Sequence, residues 1–221
     1  MTKTIVRLFE KGGGEFITPP SSFIKKLKNV KAIIFDWDGV FNSGVKKLEE
    51  GSLFSEVDAM GTNLLRYAYW KLDKQIPKSA IITGDTNPSA LAFAKRENFD
   101  EVYVGAKDKM VAFGEFTTKY KLKPEEVLFF FDDVLDLEVA RNCGARIMIR
   151  RKANPLMNKF VEKGSMADYL TANDGGNLGL REGCELVMGL LGLYEQVVSD
   201  RMKFKGDYEK YWQKRQRGGL R

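Results

Sequence analysis

A series of short apolar runs, each closed by a polar residue or a turn, sets the frame of this chain. The first, Ala32-Ile33-Ile34-Phe35, gives out at Asp36-Trp37-Asp38-Gly39. Unbroken runs of this kind fit strands buried on both faces of a parallel sheet. Further strands are predicted at residues 79–83, 101–104, 127–131 and 146–149, with an edge strand at 169–171. Between them the apolar positions take helical spacing, as at Leu64, Leu65, Ala68 and Tyr69. Helices are expected over residues 61–74, 88–98, 108–120 and 155–163, after Asp132-Asp133 as far as Asn142, and as one long element over 178–198. Residues 45–57, turning at Glu49-Glu50-Gly51-Ser52, read as a small β-hairpin. Strand and helix alternate at βαβ spacing, so the expected fold is α/β, a doubly wound parallel sheet.

The two ends fall outside this alternation. Ile5, Val6, Leu8 and Phe9 fit either a strand or a short helix, before Gly12-Gly13-Gly14 and Pro19-Pro20 interrupt the chain. Residues 1–30 therefore read as an N-terminal extension, 31–199 as the α/β domain and 200–221 as a basic C-terminal tail. The tail mixes Lys and Arg with Tyr and Trp, and is expected to be ordered only against a partner.

Composition narrows the chemistry. The 221 residues give room for one well-buried α/β domain with extensions. No apolar run approaches the about 18 residues of a membrane helix, and the first residues lack the apolar core of a secretory signal. Cys143 and Cys184 are the only two cysteines and stand far apart, which fits reduced thiols; a cytoplasmic protein is expected. Histidine is absent, which removes Ser-His-Asp and Cys-His catalysis, histidine-ligated zinc and imidazole acid–base chemistry. Carboxylates, hydroxyls and lysines remain, together with a hard metal ion. The net charge of +6 favours anionic ligands, or is simply a solvated basic surface.

Two carboxylates, Asp36 and Asp38, stand where the first strand ends, and ligands of open α/β sheets bind beyond the carboxyl ends of strands. Acids one residue apart can divide labour, one attacking as a nucleophile and the other carrying a proton. Alone, an apolar strand closing on an Asp-Gly turn is an ordinary strand end. Thr83-Gly84 alone is an ordinary junction, Lys109 is one lysine of many, and Asp132, Asp133 and Asp136 can be serving a helix start. Together, at the ends of separate strands, they fit one site. Thr83 and the backbone N–H groups from Gly84 on can hold phosphoryl oxygens, Lys109 can neutralise the transferring group, and the Asp132 cluster can bind Mg²⁺.

In these motifs the chain resembles the haloacid dehalogenase (HAD) superfamily of phosphotransferases: DWDG at 36–39, TG at 83–84, a lysine at 109 and DDxxD at 132–136. It is similar, within that superfamily, to the 3-deoxy-D-manno-octulosonate 8-phosphate phosphatase group, which includes nonulosonate 9-phosphate phosphatases. That likeness rests on DGVFNSG from Asp38, FSEVDAMG at 54–61, VYVGAKDKM at 102–110 and GGNLGLREGCEL at 175–186. It implies a HAD-like Rossmannoid sheet in which Asp36 attacks phosphorus and also binds Mg²⁺. Asp38 would act as general acid, then base, and lend its backbone carbonyl to the metal. Thr83, Gly84 and Lys109 would bind the phosphoryl group, Asp132 would be the further metal ligand, and Asp133 and Asp136 would support the ligands, in part through water. The departures are Asn42 and Ser43 in place of a threonine and an aspartate, Phe131 in place of a glycine, Asp85 in place of a basic or amide residue, and Asp58-Ala59-Met60-Gly61 in place of DG-x-G.

The intervals between Asp38 and Thr83 and between Gly84 and Lys109 leave no room for a cap domain. The resemblance implies instead a homotetramer whose hairpins and tails cover neighbouring sites, with Arg201, Lys203 and Lys205 as candidate contacts for an acidic sugar. The expected activity is Mg²⁺-dependent hydrolysis of a phosphorylated 2-keto-3-deoxy sugar acid. A nucleotide or another phosphoester is the alternative substrate, and a catalytically silent HAD-fold scaffold binding a partner through its tail is the alternative role. No motif for reading bases accompanies the basic tail, so nucleic acid is not the expected partner.

Overall fold

The computed structural model describes residues 2–47, 49 and 51–220. Among the described residues seven strands form one sheet: β1 (Glu15–Phe16), β2 (Ala32–Phe35), β3 (Lys78–Ile82), β4 (Glu101–Tyr103), β5 (Val127–Phe131), β6 (Ala145–Met148) and β7 (Tyr169–Leu170). Their order across the sheet is β1-β7-β6-β5-β2-β3-β4, all parallel except β1 against β7. The central strands are buried on both faces, which is why they read as unbroken apolar runs. Ile33, Phe35, Leu128 and Phe130 face one apolar layer, and Ile34, Phe129 and Phe131 face the other, as the period of two requires.

The helices are α1 (Thr2–Lys11), α2 (Pro20–Lys28), α3 (Glu56–Asp73), α4 (Pro88–Arg96), α5 (Lys109–Tyr120), α6 (Leu137–Asn142), α7 (Pro155–Lys163), α8 (Gly179–Leu190), α9 (Tyr194–Lys203) and α10 (Asp207–Gln216). Ala112, Phe113 and Phe116 of α5 and Val139 and Ala140 of α6 cover one face of the sheet. On the other, α3 and α8 pack together, with Leu64, Leu65 and Ala68 meeting Leu180, Cys184 and Val187 in one core.

Four expectations change. The strand at 169–171 is not an edge, because Glu15 and Phe16 pair antiparallel with Leu170 and Tyr169 and cover it. The helix expected over 178–198 divides at Gly192, whose φ of 73° is left-handed, so α8 ends at Leu190 and α9 starts at Tyr194. Among the described residues of the hairpin expected over 45–57 there is one antiparallel bridge, Lys47 to Gly51; Leu48 and Glu50 of its turn lie outside the described residues. Its far end is already helix, since Ser55 caps α3 by accepting from Val57 N at 3.1 Å.

The fourth change concerns the tail, which folds on its own chain. Tyr208, Tyr211 and Arg215 of α10 are buried, and Arg215 Nη1 donates to Asn63 Oδ1 at 2.9 Å and to Glu97 Oε2 at 2.8 Å. Asp200 of α9 accepts from Tyr67 and Lys71 of α3, both at 2.7 Å. Arg201 lies over the rings of Phe204 and Tyr208, while Lys203 and Lys205 are exposed. Its Lys, Arg and Tyr content therefore serves a docked amphipathic helix as well as the surface.

Candidate active site

The strand order decides which residues meet. β2 lies between β3 and β5, so the carboxyl ends of these three strands are neighbours at the point where the winding of the sheet reverses. Asp36, Thr83 and Asp132 are the first residues past those ends. Asp36 N donates to the carbonyl of Phe130 at 2.9 Å, which ties the exit of β2 to β5. Lys109 opens α5, whose start is fixed by Asp108 accepting from Met110 N at 3.0 Å.

Lys109 is the hub. Its Nζ donates to Asp36 Oδ1 and to Asp136 Oδ1, both at 2.6 Å, and all three side chains are buried. Asp36, Asp132 and Asp136 each bring an oxygen within 4.8 Å of the others. Burial works against the charge on Lys109, yet the carboxylates of Asp36 and Asp136 outweigh it and hold the ammonium above the ordinary lysine range. Burial, and next the charge of Asp36, push the carboxyls of Asp132 and Asp136 upward. Three crowded acids face two cations, the buried Lys109 and the partly exposed Arg151, so the acids outnumber the positive charges. Asp132 Oδ1 is buried with no hydrogen-bond partner among the described residues. An all-oxygen donor set with an orphaned carboxylate oxygen fits a hard divalent cation such as Mg²⁺.

The other predicted residues surround this floor. Thr83 is fully buried, and its Oγ1 has no hydrogen-bond partner among the described residues. Asp38 is half-buried above Asp36; its carboxylate accepts from Ser52 Oγ and, at 3.3 Å, from Asn87 Nδ2, with Lys46 Nζ 3.1 Å away. Thr83 and Gly84 wall a cavity of about 280 Å³ whose rim carries Lys46, Lys107 and Arg151. Asp133 lines it too, but its exposed carboxylate caps the following turn by accepting from Val134 N at 2.7 Å. Asp136, by contrast, belongs to the buried cluster itself.

No protein-family model matches the chain. Its sequence is 30% identical over 178 residues to the 3-deoxy-D-manno-octulosonate 8-phosphate phosphatase KdsC of Escherichia coli K12, across 79% of this chain and 87% of that one. This chain belongs to the KdsC family of HAD phosphatases. Solved structures agree. A HAD superfamily (subfamily III A) hydrolase from Legionella pneumophila superposes with a TM-score of 0.68 at 26% identity, over 83% of this chain and 95% of that one. The Moraxella catarrhalis 3-deoxy-D-manno-octulosonate 8-phosphate phosphatase, solved with a magnesium ion, a phosphate ion and KDO, superposes with a TM-score of 0.65 at 25% identity, over 80% of this chain and 96% of that one.

In this KdsC-family phosphatase the four motifs converge, and further residues join them that sequence reasoning did not single out. Ser52, Asn87 and Lys46 hold Asp38; they lie in a loop and at a helix start, where nothing in the local pattern marks them. Arg151 Nη2 lies 2.5 Å from Asp132 Oδ2. The run Arg150-Arg151-Lys152 just past β6 was its signal, since β6 is the neighbour of β5 and ends at the same edge. Asn42 accepts from Gly44 N at 2.8 Å and shapes the loop after Asp38.

Proposed function

We propose that this phosphatase hydrolyses the phosphomonoester of a small acidic sugar, through a phosphoryl group held covalently on Asp36. The substrate class is a 2-keto-3-deoxy sugar acid phosphate, such as 3-deoxy-D-manno-octulosonate 8-phosphate or a nonulosonate 9-phosphate. The observation that carries the reading is the convergence of Asp36, Lys109, Asp132 and Asp136 below Asp38 at one cavity.

The Asp36 carboxylate attacks phosphorus, and the ester oxygen leaves with a proton from Asp38. Asp38 then takes a proton from the water that releases phosphate from Asp36. Ser52, Asn87 and Lys46 keep the Asp38 carboxylate directed over the floor. Lys109 and the free hydroxyl of Thr83 bind phosphoryl oxygens as charge spreads over them. Asp36, Asp132 and the backbone carbonyl of Asp38 would hold Mg²⁺, with Asp136 and Asp133 supporting them. That ion supplies charge neutralisation and orients the phosphoryl oxygens. Lys46, Lys107 and Arg151 at the rim support an anionic substrate over a neutral one.

The same reading has the chain acting as a homotetramer in the cytoplasm, with residues 1–30 and 200–221 as accessories to the domain at 31–199. Val45, Leu53 and Val57, exposed in or beside the loop bordering the cavity, support an oligomer that shields the site. Among the described residues no helix is long and apolar enough to cross a membrane. Phosphate release from a panel of sugar-acid phosphates, neutral sugar phosphates and nucleotides, with Mg²⁺, tests the substrate class; preference for a nucleotide would overturn it. Light scattering that finds a monomer at working concentration would overturn the assembly.

A further inference from the structure

The cation beside Asp132 belongs to none of the four motifs. Arg151 Nη2 lies 2.5 Å from Asp132 Oδ2, with the side chain 31% exposed and lining the cavity. The space it occupies exists because residue 39 is glycine: a Cβ there would lie 2.0 Å from both Arg151 Nη2 and Asp132 Oδ2. The other paired cations of the cavity are held differently. Lys109 is clamped between Asp36 and Asp136, and Lys46 between Asp38 and Asp85 at 3.1 and 2.9 Å. Arg151, by contrast, has a single carboxylate as its ion-pair partner among the described residues, that of Asp132 in the acid cluster.

We propose that Arg151 is a displaceable counter-ion: it neutralises Asp132 while the metal is absent, yields it when the metal binds, and then takes the carboxylate of the substrate. This rests on the phosphatase reading for its last step only. A divalent cation drawing on Asp132 and a guanidinium on the same carboxylate repel each other at this distance. The arginine is the member free to move, because its side chain reaches solvent and Asp132 does not. Its planar fork matches a carboxylate with two parallel hydrogen bonds, which a lysine cannot reproduce. Binding is therefore ordered, metal first and acidic sugar second. The specificity for an acid would reside in a residue on the β6 side of the cavity, separate from the groups that bind the phosphoryl.

Calorimetric titration of the metal-free protein with Mg²⁺ alone tests the displacement. Arg151→Gln is expected to bind Mg²⁺ about tenfold more tightly than the wild type, and Arg151→Lys within about threefold of it. Unchanged or weaker Mg²⁺ binding by Arg151→Gln overturns the displacement. Should that variant not fold, the Nε–H resonance of Arg151 in the wild type is expected to shift across the Mg²⁺ titration; a signal that stays fixed overturns it equally. The substrate step is read at saturating Mg²⁺ with a sugar phosphate that carries a carboxylate and one that does not. Arg151→Gln is expected to raise KM for the acidic ester by about 10- to 100-fold, with kcat and the neutral ester's KM within about threefold. An equal rise for both esters overturns the carboxylate contact. A wild type that hydrolyses neither ester defeats the phosphatase reading and the substrate step with it, while the Mg²⁺ titration still decides the displacement.

Discussion

The ammonium of Lys109 lies 2.6 Å from Oδ1 of Asp36, although 73 residues separate the two in the chain. Asp136 closes the other side at the same distance. A buried cation between two acids is both a structural and a chemical centre, because removing it leaves like charges facing each other without solvent. Lys109→Met is therefore expected to lower stability by about 3 kcal/mol and turnover by at least about 100-fold. Adding Asp136→Asn is expected to restore part of the stability and none of the turnover. Urea unfolding and phosphate release on the wild type and these two variants separate the two effects.

Gly39 has φ of 90°, and a Cβ there would collide with Asp132 and Arg151 at once. Gly39→Ala combines an unfavourable backbone region with displacement of a carboxylate of the acid cluster. Expected are a loss of about 1 to 3 kcal/mol in stability and weaker Mg²⁺ binding, checked by thermal melting with and without Mg²⁺. A melting gain with Mg²⁺ as large as the wild type's would contradict the geometry.

Asp58 is fully buried at the start of α3, where one carboxylate oxygen accepts from Arg181 N at 2.9 Å and the other has no hydrogen-bond partner among the described residues. Burial raises its carboxyl from 3.8 to about 6. The folded state thus holds this proton more tightly than the unfolded chain, so the group favours folding below about pH 4 and loses that contribution as pH rises through about 6. Asp58→Asn is expected to flatten this slope and to gain up to about 3 kcal/mol at neutral pH. Denaturant midpoints measured from pH 4 to 7.5, both values about the limits of the titration, would show it.

Ser52 and Asn87 both reach Asp38 Oδ1. Their loss leaves the acid in place but no longer directed, so Ser52→Ala is expected to lower kcat by about tenfold while Mg²⁺ affinity stays unchanged. A fall in Mg²⁺ affinity of the same size would mean that Ser52 supports the metal cluster instead of Asp38.

The strands were legible because a buried parallel strand writes itself as an apolar run, and β2 and β5 begin and end as the pattern predicts. Asp36, Thr83, Lys109 and Asp132 were legible because each stands at the end of such a run or the start of the next helix. What the pattern does not carry is pairing between distant segments. Glu15 and Phe16 give no strand signal until β7 is beside them, and the same holds for Arg215, whose burial depends on Asn63 and Glu97. Arg151 escaped for a related reason: its meaning comes from β6 lying next to β5. The order of strands, not the local sequence, turns a basic loop into a wall of the site.

The account stands on Asp36 as the group that takes the phosphoryl. Wild type and Asp36→Asn are mixed with the hydrolysed ester and Mg²⁺, quenched in acid within the turnover time, and digested for mass spectrometry. The wild type is expected to carry one phosphoryl increment on the peptide spanning Asp36, and Asp36→Asn neither the increment nor phosphate release. An increment on a different peptide, or continued hydrolysis by Asp36→Asn, would contradict it.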